Sequence, residues 1–202
     1  MRLVRSLVLF SSFAGTLASY AHAQATPVPA GQRPTPMMLM ISGWADGTQI
    51  PVRYTQAGEQ VSPELKWMNV PAGTQSFVVN MLDPDVAIQK GTETQPHWIV
   101  WNIPGTSTGL PEGVKQGAEL PDGTRQISAT GPGYRGPGAA ANGPLHHYTF
   151  EVYALDAKID VVPSAATPAV SAALETRASV MKAMQGHVLG KAVYVGLFKR
   201  PQ

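Results

Sequence analysis

The stretch His147 to Leu155 reads HYTFEVYAL, and its period of two constrains the chain more than any other feature. Tyr148, Phe150, Val152 and Ala154 fall on one side of an extended strand, and Thr149, Glu151 and Tyr153 on the other. Other short apolar or alternating segments recur along the chain. They are Met37 to Ile41, Gln49 to Thr55 after an Asp46-Gly47 turn, Gln75 to Leu82, His97 to Ile103, and Ala192 to Phe198. Turn residues separate them, so the spacing predicts a mainly β domain of two packed layers.

One helix interrupts this pattern. From Ser171 to Gln185, Leu174, Ala178, Met181 and Met184 or Gln185 recur at helical spacing and predict a core-facing stripe. Thr176 is a candidate cap for a helix that begins at Arg177, and Gly186 suits a left-handed exit. Between Pro104 and His146, 16 of 43 residues are Gly or Pro, with one plausible short strand near Arg125 to Ala129. Connections this long are uncommon in compact domains and often functional. Tyr134 and the prolines of GPGYRGPGAAANGPLHHY, Gly131 to Tyr148, predict an ordered loop.

The chain ends differ in character from this middle. Arg2 and Arg5 precede an apolar run of about a dozen residues, short of the ~20 that a membrane span needs. Ala21-His22-Ala23 then matches a small-x-small cleavage site, so residues 1–23 read as a secretory signal peptide. Residues 24–36 carry four prolines and read as an extended linker, with a single folded domain over residues 37–202. Without the leader the chain holds 13 basic and 13 acidic residues, and it has no basic run of the kind that binds nucleic acid. An exported chain without cysteine must find its stability in its core, in the periplasm or outside the cell.

No G-x-S-x-G elbow and no H-E-x-x-H motif occurs, and GHVLGKA fails as a phosphate loop because its glycines are too close and no Ser or Thr follows Lys191. The remaining constellation is Asp83, Asp85, His97 and His146: Asp83 ends one expected strand, His97 begins the next and His146 begins a third. If those ends meet at one rim, the site has three readings. Imidazole donors, with N–H groups from Gly131 to Gly138, suit a phosphate or another oxyanion. Two Asp and two His also suit a divalent metal. Separately, each is a turn residue or a satisfied structural group.

Longer motifs go beyond this spacing. Asp83-Pro84-Asp85 is followed by HWIVWNIP, and GYRGP by GPLHHYTFEVYALD. In these the chain resembles the phosphatidylethanolamine-binding protein family, in its bacterial Raf-kinase-inhibitor-like branch, over roughly residues 37 to 200 in order. The resemblance implies a Greek-key β-sandwich with a C-terminal helix beside a small pocket. It implies an anion site at Asp83, His97 and His146, with Asp85 and Tyr148 adjacent and Gly136-Pro137 in the lining loop. Trp98 is expected in the core. A non-enzymatic protein without cofactor follows, binding phosphate or a phosphorylated lipid head group, and by resemblance a homodimer. The alternatives are a protein-interaction module that inhibits a protease or kinase and, third, a metal-dependent hydrolase. The family usually reads D-P-D-A-P, whereas Val86-Ala87 stand here, and GAAANGPL replaces a loop richer in proline.

Overall fold

The alternating segments pair into two sheets. The structure, a computed structural model, describes residues 35–87 and 91–202, with the side chain of Ala87 left out. The leader and nearly all of the linker expected over residues 1–36 lie outside the described residues. The strands are β1 (Met38–Ile41), β2 (Thr48–Gln49), β3 (Leu65–Met68), β4 (Ser76–Ala87), β5 (Thr94–Pro104), β6 (Gly109–Leu110), β7 (Arg125–Ile127), β8 (His146–Leu155) and β9 (Val188–Phe198). One helix, α1, spans Ala169–Ala183. A three-stranded sheet runs β1-β3-β6, and a six-stranded sheet runs β2-β9-β8-β4-β5-β7. Within the larger sheet β4, β5 and β7 are successive antiparallel neighbours, and β8 returns by a long connection to lie beside β4. That return is the Greek-key arrangement.

The two faces of the larger sheet bury different sets. Phe77, Val79 and Met81 of β4 and Tyr148, Phe150 and Val152 of β8 meet Leu39, Leu65, Trp67 and Leu110 of the smaller sheet. On the opposite face Val78, Ile99, Trp101, Tyr153 and Leu155 meet Ala172, Ala173, Val180 and Met184 of the helix. Both faces of β8 are thus covered, which is why Tyr153 and Leu155 sit among nominally outward positions. Glu151 shares the helix side and is satisfied there by Asn80 at 2.7 Å and Lys191 at 2.6 Å. These bonds outweigh the cost of burial, and its carboxyl stays below the usual range.

Several local expectations need correction. Gln49 to Thr55 is not a strand: β2 ends at Gln49, and Val52–Tyr54 form a 3-10 turn. Pro51 has no N–H for a ladder, and it opens that turn. The helix starts at Ala169, so Thr176 is no cap; it lies inside, buried, its hydroxyl donating to the Ala172 carbonyl at 2.7 Å. The core-facing stripe follows Ala173, Thr176, Val180 and Met184, while Ala178 is exposed and Leu174 and Met181 are only partly buried. A polar threonine in the stripe hid its phase. Gly186 does exit the helix region with φ +84°. The helix covers the face of the larger sheet opposite the sandwich core, where the resemblance led us to expect it beside the pocket.

Phe150 contacts the core from the centre of the larger sheet and is fully buried. Replacing Phe150 by Ala is expected to cost about 3–5 kcal/mol, whereas Val193→Ala on half-exposed β9 should stay within about 0.5 kcal/mol. Chemical denaturation of the two variants checks the contrast.

Candidate functional site

Three strands of the larger sheet bring polar residues to one rim of the sandwich. On β4 the core-facing series Val79 and Met81 continues to Asp83, which is 2% exposed. On β8 the series Val152, Phe150 and Tyr148 runs back to His146. Period two alone delivers both side chains. β5 requires more. Met81 pairs with Trp98 but Leu82 pairs with Pro96, so His97 is left over as a bulge. A bulge re-aims the extra side chain. The His97 ring, 1% exposed, lies edge-on to Tyr148 with centroids 5.1 Å apart.

The main chain of Arg135 holds His97 at two points. His97 Nδ1 donates to the Arg135 carbonyl at 2.9 Å, and the His97 carbonyl accepts the Arg135 N–H at 3.0 Å. A carbonyl only accepts, so Nδ1 carries the proton. Nε2 keeps its lone pair, with the Gln95 amide nitrogen 3.5 Å away. Burial pushes the pKa of His97 down to about 4, against the opposing pull of the Arg135 carbonyl. The ring is neutral at physiological pH.

His146 and Tyr148 are fixed through Asp83 and the loop. His146 Nδ1 donates to Asp83 Oδ2 at 2.8 Å, with side-chain exposures of 17% and 3%. Asp83 Oδ1 accepts the Asp85 N–H at 3.0 Å, a turn of the Asx kind. The Tyr148 hydroxyl accepts the N–H groups of Gly138 at 3.1 Å and Ala139 at 3.2 Å. Burial first, and then the neighbouring Asp83 carboxylate, push its pKa up to about 12, partly offset by those two donors. The Tyr148 phenol is therefore un-ionised.

Between these groups lies a cavity of about 230 Å³, lined among others by Gln56, Asp83, Gln95, His97, Arg135, His146 and Tyr148. Asp83, His97, His146 and Tyr148 come together as the sequence suggested. Asp85 does not line the cavity; its exposed carboxylate accepts the His147 N–H at 2.6 Å and His147 Nδ1 at 3.1 Å. Those bonds, the backbone one foremost, hold its pKa below the usual range. Gly136 and Pro137 are buried behind the cavity wall, and Gly138 to Ala140 line it instead. Gly136 packs against the backbone of Tyr54 and Thr55, where a Cβ would lie 2.6 Å from the Tyr54 carbonyl oxygen. Trp98 is fully buried, and its Nε1 donates to Gln126 at 2.8 Å.

The loop N–H groups expected to face an anion are largely spent. Those of Gly138 and Ala139 go to Tyr148, and that of Gly136 goes to Gln60 Oε1 at 3.3 Å. The cation that sequence reasoning missed is Arg135, quoted only as part of GYRGP. It is half-buried in the cavity wall, and among the described residues its guanidinium has no hydrogen bond or ion pair. Burial lowers its pKa, but an arginine remains charged at neutral pH. A charged side chain amid glycines and prolines was the signal available. Asp83, Asp85 and His146 each place one possible metal ligand within 4.8 Å of the others. His97 is not in that group, and both carboxylates already hold histidines.

The neutral His97 makes stability pH-dependent in a known direction. Between pH ~6.5 and ~4 the unfolded chain takes up a proton that folded His97 refuses, so the unfolded state binds more protons. This contribution is complete above pH ~6.5 and is lost as pH falls towards 4, about 3 kcal/mol in all. Denaturation at pH 7 and pH 4.5 should show a smaller drop for His97→Gln than for the wild type.

Comparison with known proteins agrees with this fold. The family model for phosphatidylethanolamine-binding proteins matches residues 41–199. A UPF0098 protein of Methanothermobacter thermautotrophicus is 39% identical, with 81% of this chain and 99% of the relative covered. The UPF0098 protein YbhB of Escherichia coli is 39% identical over 62% of this chain and 82% of its own length. The crystal structure of Escherichia coli YbcL, described as a new member of the mammalian PEBP family, superposes with a TM-score of 0.67 at 26% identity. It covers 82% of this chain and 99% of its own. By its fold, its strand-end residues and these matches, the chain belongs to the phosphatidylethanolamine-binding protein family.

Proposed function

We propose that the protein is a non-enzymatic binder of small phosphate-bearing ligands, taken either free or as the head group of a lipid. The observation that carries this reading is the Arg135 guanidinium, half-buried in a small cavity where it makes no hydrogen bond or ion pair to any described residue and only the Asp83 carboxylate and the Tyr148 phenol draw on its charge from nearby. A planar cation with open donors recognises phosphate oxygens in charge-assisted, often paired, hydrogen bonds. His146 lines the same cavity, its ring oriented by the hydrogen bond from Nδ1 to Asp83 so that Nε2 is left free to contact a ligand. The size supports a head group rather than a whole lipid: ~230 Å³ lies below the roughly 300 Å³ at which pockets for drug-sized molecules begin. Neither His97 nor His146 hydrogen-bonds a hydroxyl that it could activate as a nucleophile, among the described residues. The leader read from residues 1–23 belongs to the same proposal and puts the binder in the periplasm or outside the cell.

Titration with inorganic phosphate, phosphoethanolamine and phosphatidylethanolamine vesicles, followed by the histidine ring signals, tests the reading. Phosphate is expected to shift His97 and His146 at millimolar concentration or below, and Arg135→Gln to weaken it roughly ten- to a hundredfold. Unmoved rings at millimolar phosphate would falsify it. Vesicle binding without response to free phosphate would assign the lipid as the source of the ligand.

A further inference from the structure

The outer face of the smaller sheet carries groups that the strand-end cavity does not use. In β1 and β3 alternation turns Leu39, Ile41, Leu65 and Trp67 inward and Met38, Met40, Lys66 and Met68 outward. Met38, Met40 and Met68 are 49%, 51% and 43% exposed, while the other described methionines, Met37, Met81, Met181 and Met184, are buried or partly buried. All the exposed thioethers of the described residues thus stand on one face. We infer that Met38, Met40 and Met68 form a site for a soft monovalent metal ion, copper(I) or silver(I), held by three thioether sulfurs.

Strand register brings the three together. Met38 lies directly opposite Met68, and Met40 lies opposite Lys66. Directly paired Cβ atoms are about 4.5–5.5 Å apart, and diagonal neighbours such as Met40 and Met68 about 7–8 Å, within reach of long side chains. A methionine side chain is unbranched, with three rotatable bonds and a polarizable sulfur, so the three sulfurs can meet above the sheet. The polar groups of the face do not compete for that place. Lys66 Nζ is 2.9 Å from Glu64 Oε1, and Ser42 donates to Glu64 Oε2 at 2.6 Å, so these three satisfy one another towards the far end of the strands. Thioether sulfur is a soft donor that selects copper(I), whereas zinc prefers imidazole and thiolate, and magnesium oxygen. The chain has no cysteine, so no thiolate competes for such an ion. A thioether has no proton to lose, and the ion is taken up without proton release or electron transfer. None of these residues lines the anion cavity, so the two sites stand or fall separately.

The test is a titration of the full chain with silver(I), which air does not oxidise, followed by the methyl signals of carbon-13-labelled methionine. One equivalent is expected to move the signals of Met38, Met40 and Met68 along a common curve and to leave those of Met81 and Met184 in place. Copper(I) under nitrogen should do the same, and zinc should not. Leucine is close to methionine in volume, so Met38→Leu and Met68→Leu keep the fold. Each should weaken binding at least about tenfold, since loss of groups that only orient metal ligands already costs that much. His187→Gln should bind as the wild type does. So should the wild type at about pH 5, where an imidazole site would be protonated. Unmoved methyl signals, unaltered affinity in both Leu variants, or loss of binding at that pH overturns the site. Methyl shifts that follow protein dilution and ignore the metal make the face a contact between copies and overturn it equally.

Discussion

The two hydrogen bonds between His97 and the main chain of Arg135 join the parts on which the pocket depends. One end is a bulge in the larger sheet, the other a loop dense in glycine and proline. The bond from Nδ1 fixes the tautomer of the ring, and the bond to its carbonyl fixes the loop. Arg135 is thereby carried into the cavity wall although no described residue holds its side chain by a hydrogen bond or ion pair. The same loop is fastened from behind by Tyr134, whose hydroxyl donates to the Tyr54 carbonyl at 2.8 Å, and by Gln56, whose amide donates to the Gly136 carbonyl at 2.8 Å. A segment without secondary structure is thus held by side chains that reach it from residues 54–60 and from β8.

Much of the fold was legible because period two survives in β4 and β8. Alternation places Phe77, Val79, Met81 and Asp83 of β4, and Tyr148, Phe150 and Val152 of the neighbouring β8 running back to His146, on the same face of the larger sheet. β5 defeats the same reading. The ladder slips at His97 and again between Val100 and Ile103, where Asn102 has φ +58°. Asn102 tolerates that backbone and binds Ile159 through both its amide atoms. No periodic pattern encodes a slip, so HWIVWNIP conceals which of its residues face the pocket. The resemblance supplied His97 where the spacing could only suggest it.

The site residues divide along the same line. Asp83, His146 and Tyr148 follow from strand phase. Gly136 and Pro137 look like cavity wall because a Gly-Pro loop invites an anion, yet Gly136 is needed where the loop crosses the Tyr54-Thr55 backbone. Its role is close approach, which only glycine permits. Arg135 could not be placed from sequence, since its position depends on the bond that its own main chain makes to a bulged residue far upstream.

The use of Tyr148 as an acceptor decides what kind of pocket remains. An un-ionised phenol beside a buried carboxylate collects the loop N–H groups that a phosphate would otherwise take. The remaining donors at the cavity belong to side chains, those of Arg135, Gln56 and Gln95. Cavity shape is set by the sheet rim, and the orientation of both histidines is set by the anchors on which they spend Nδ1, the Arg135 carbonyl and Asp83.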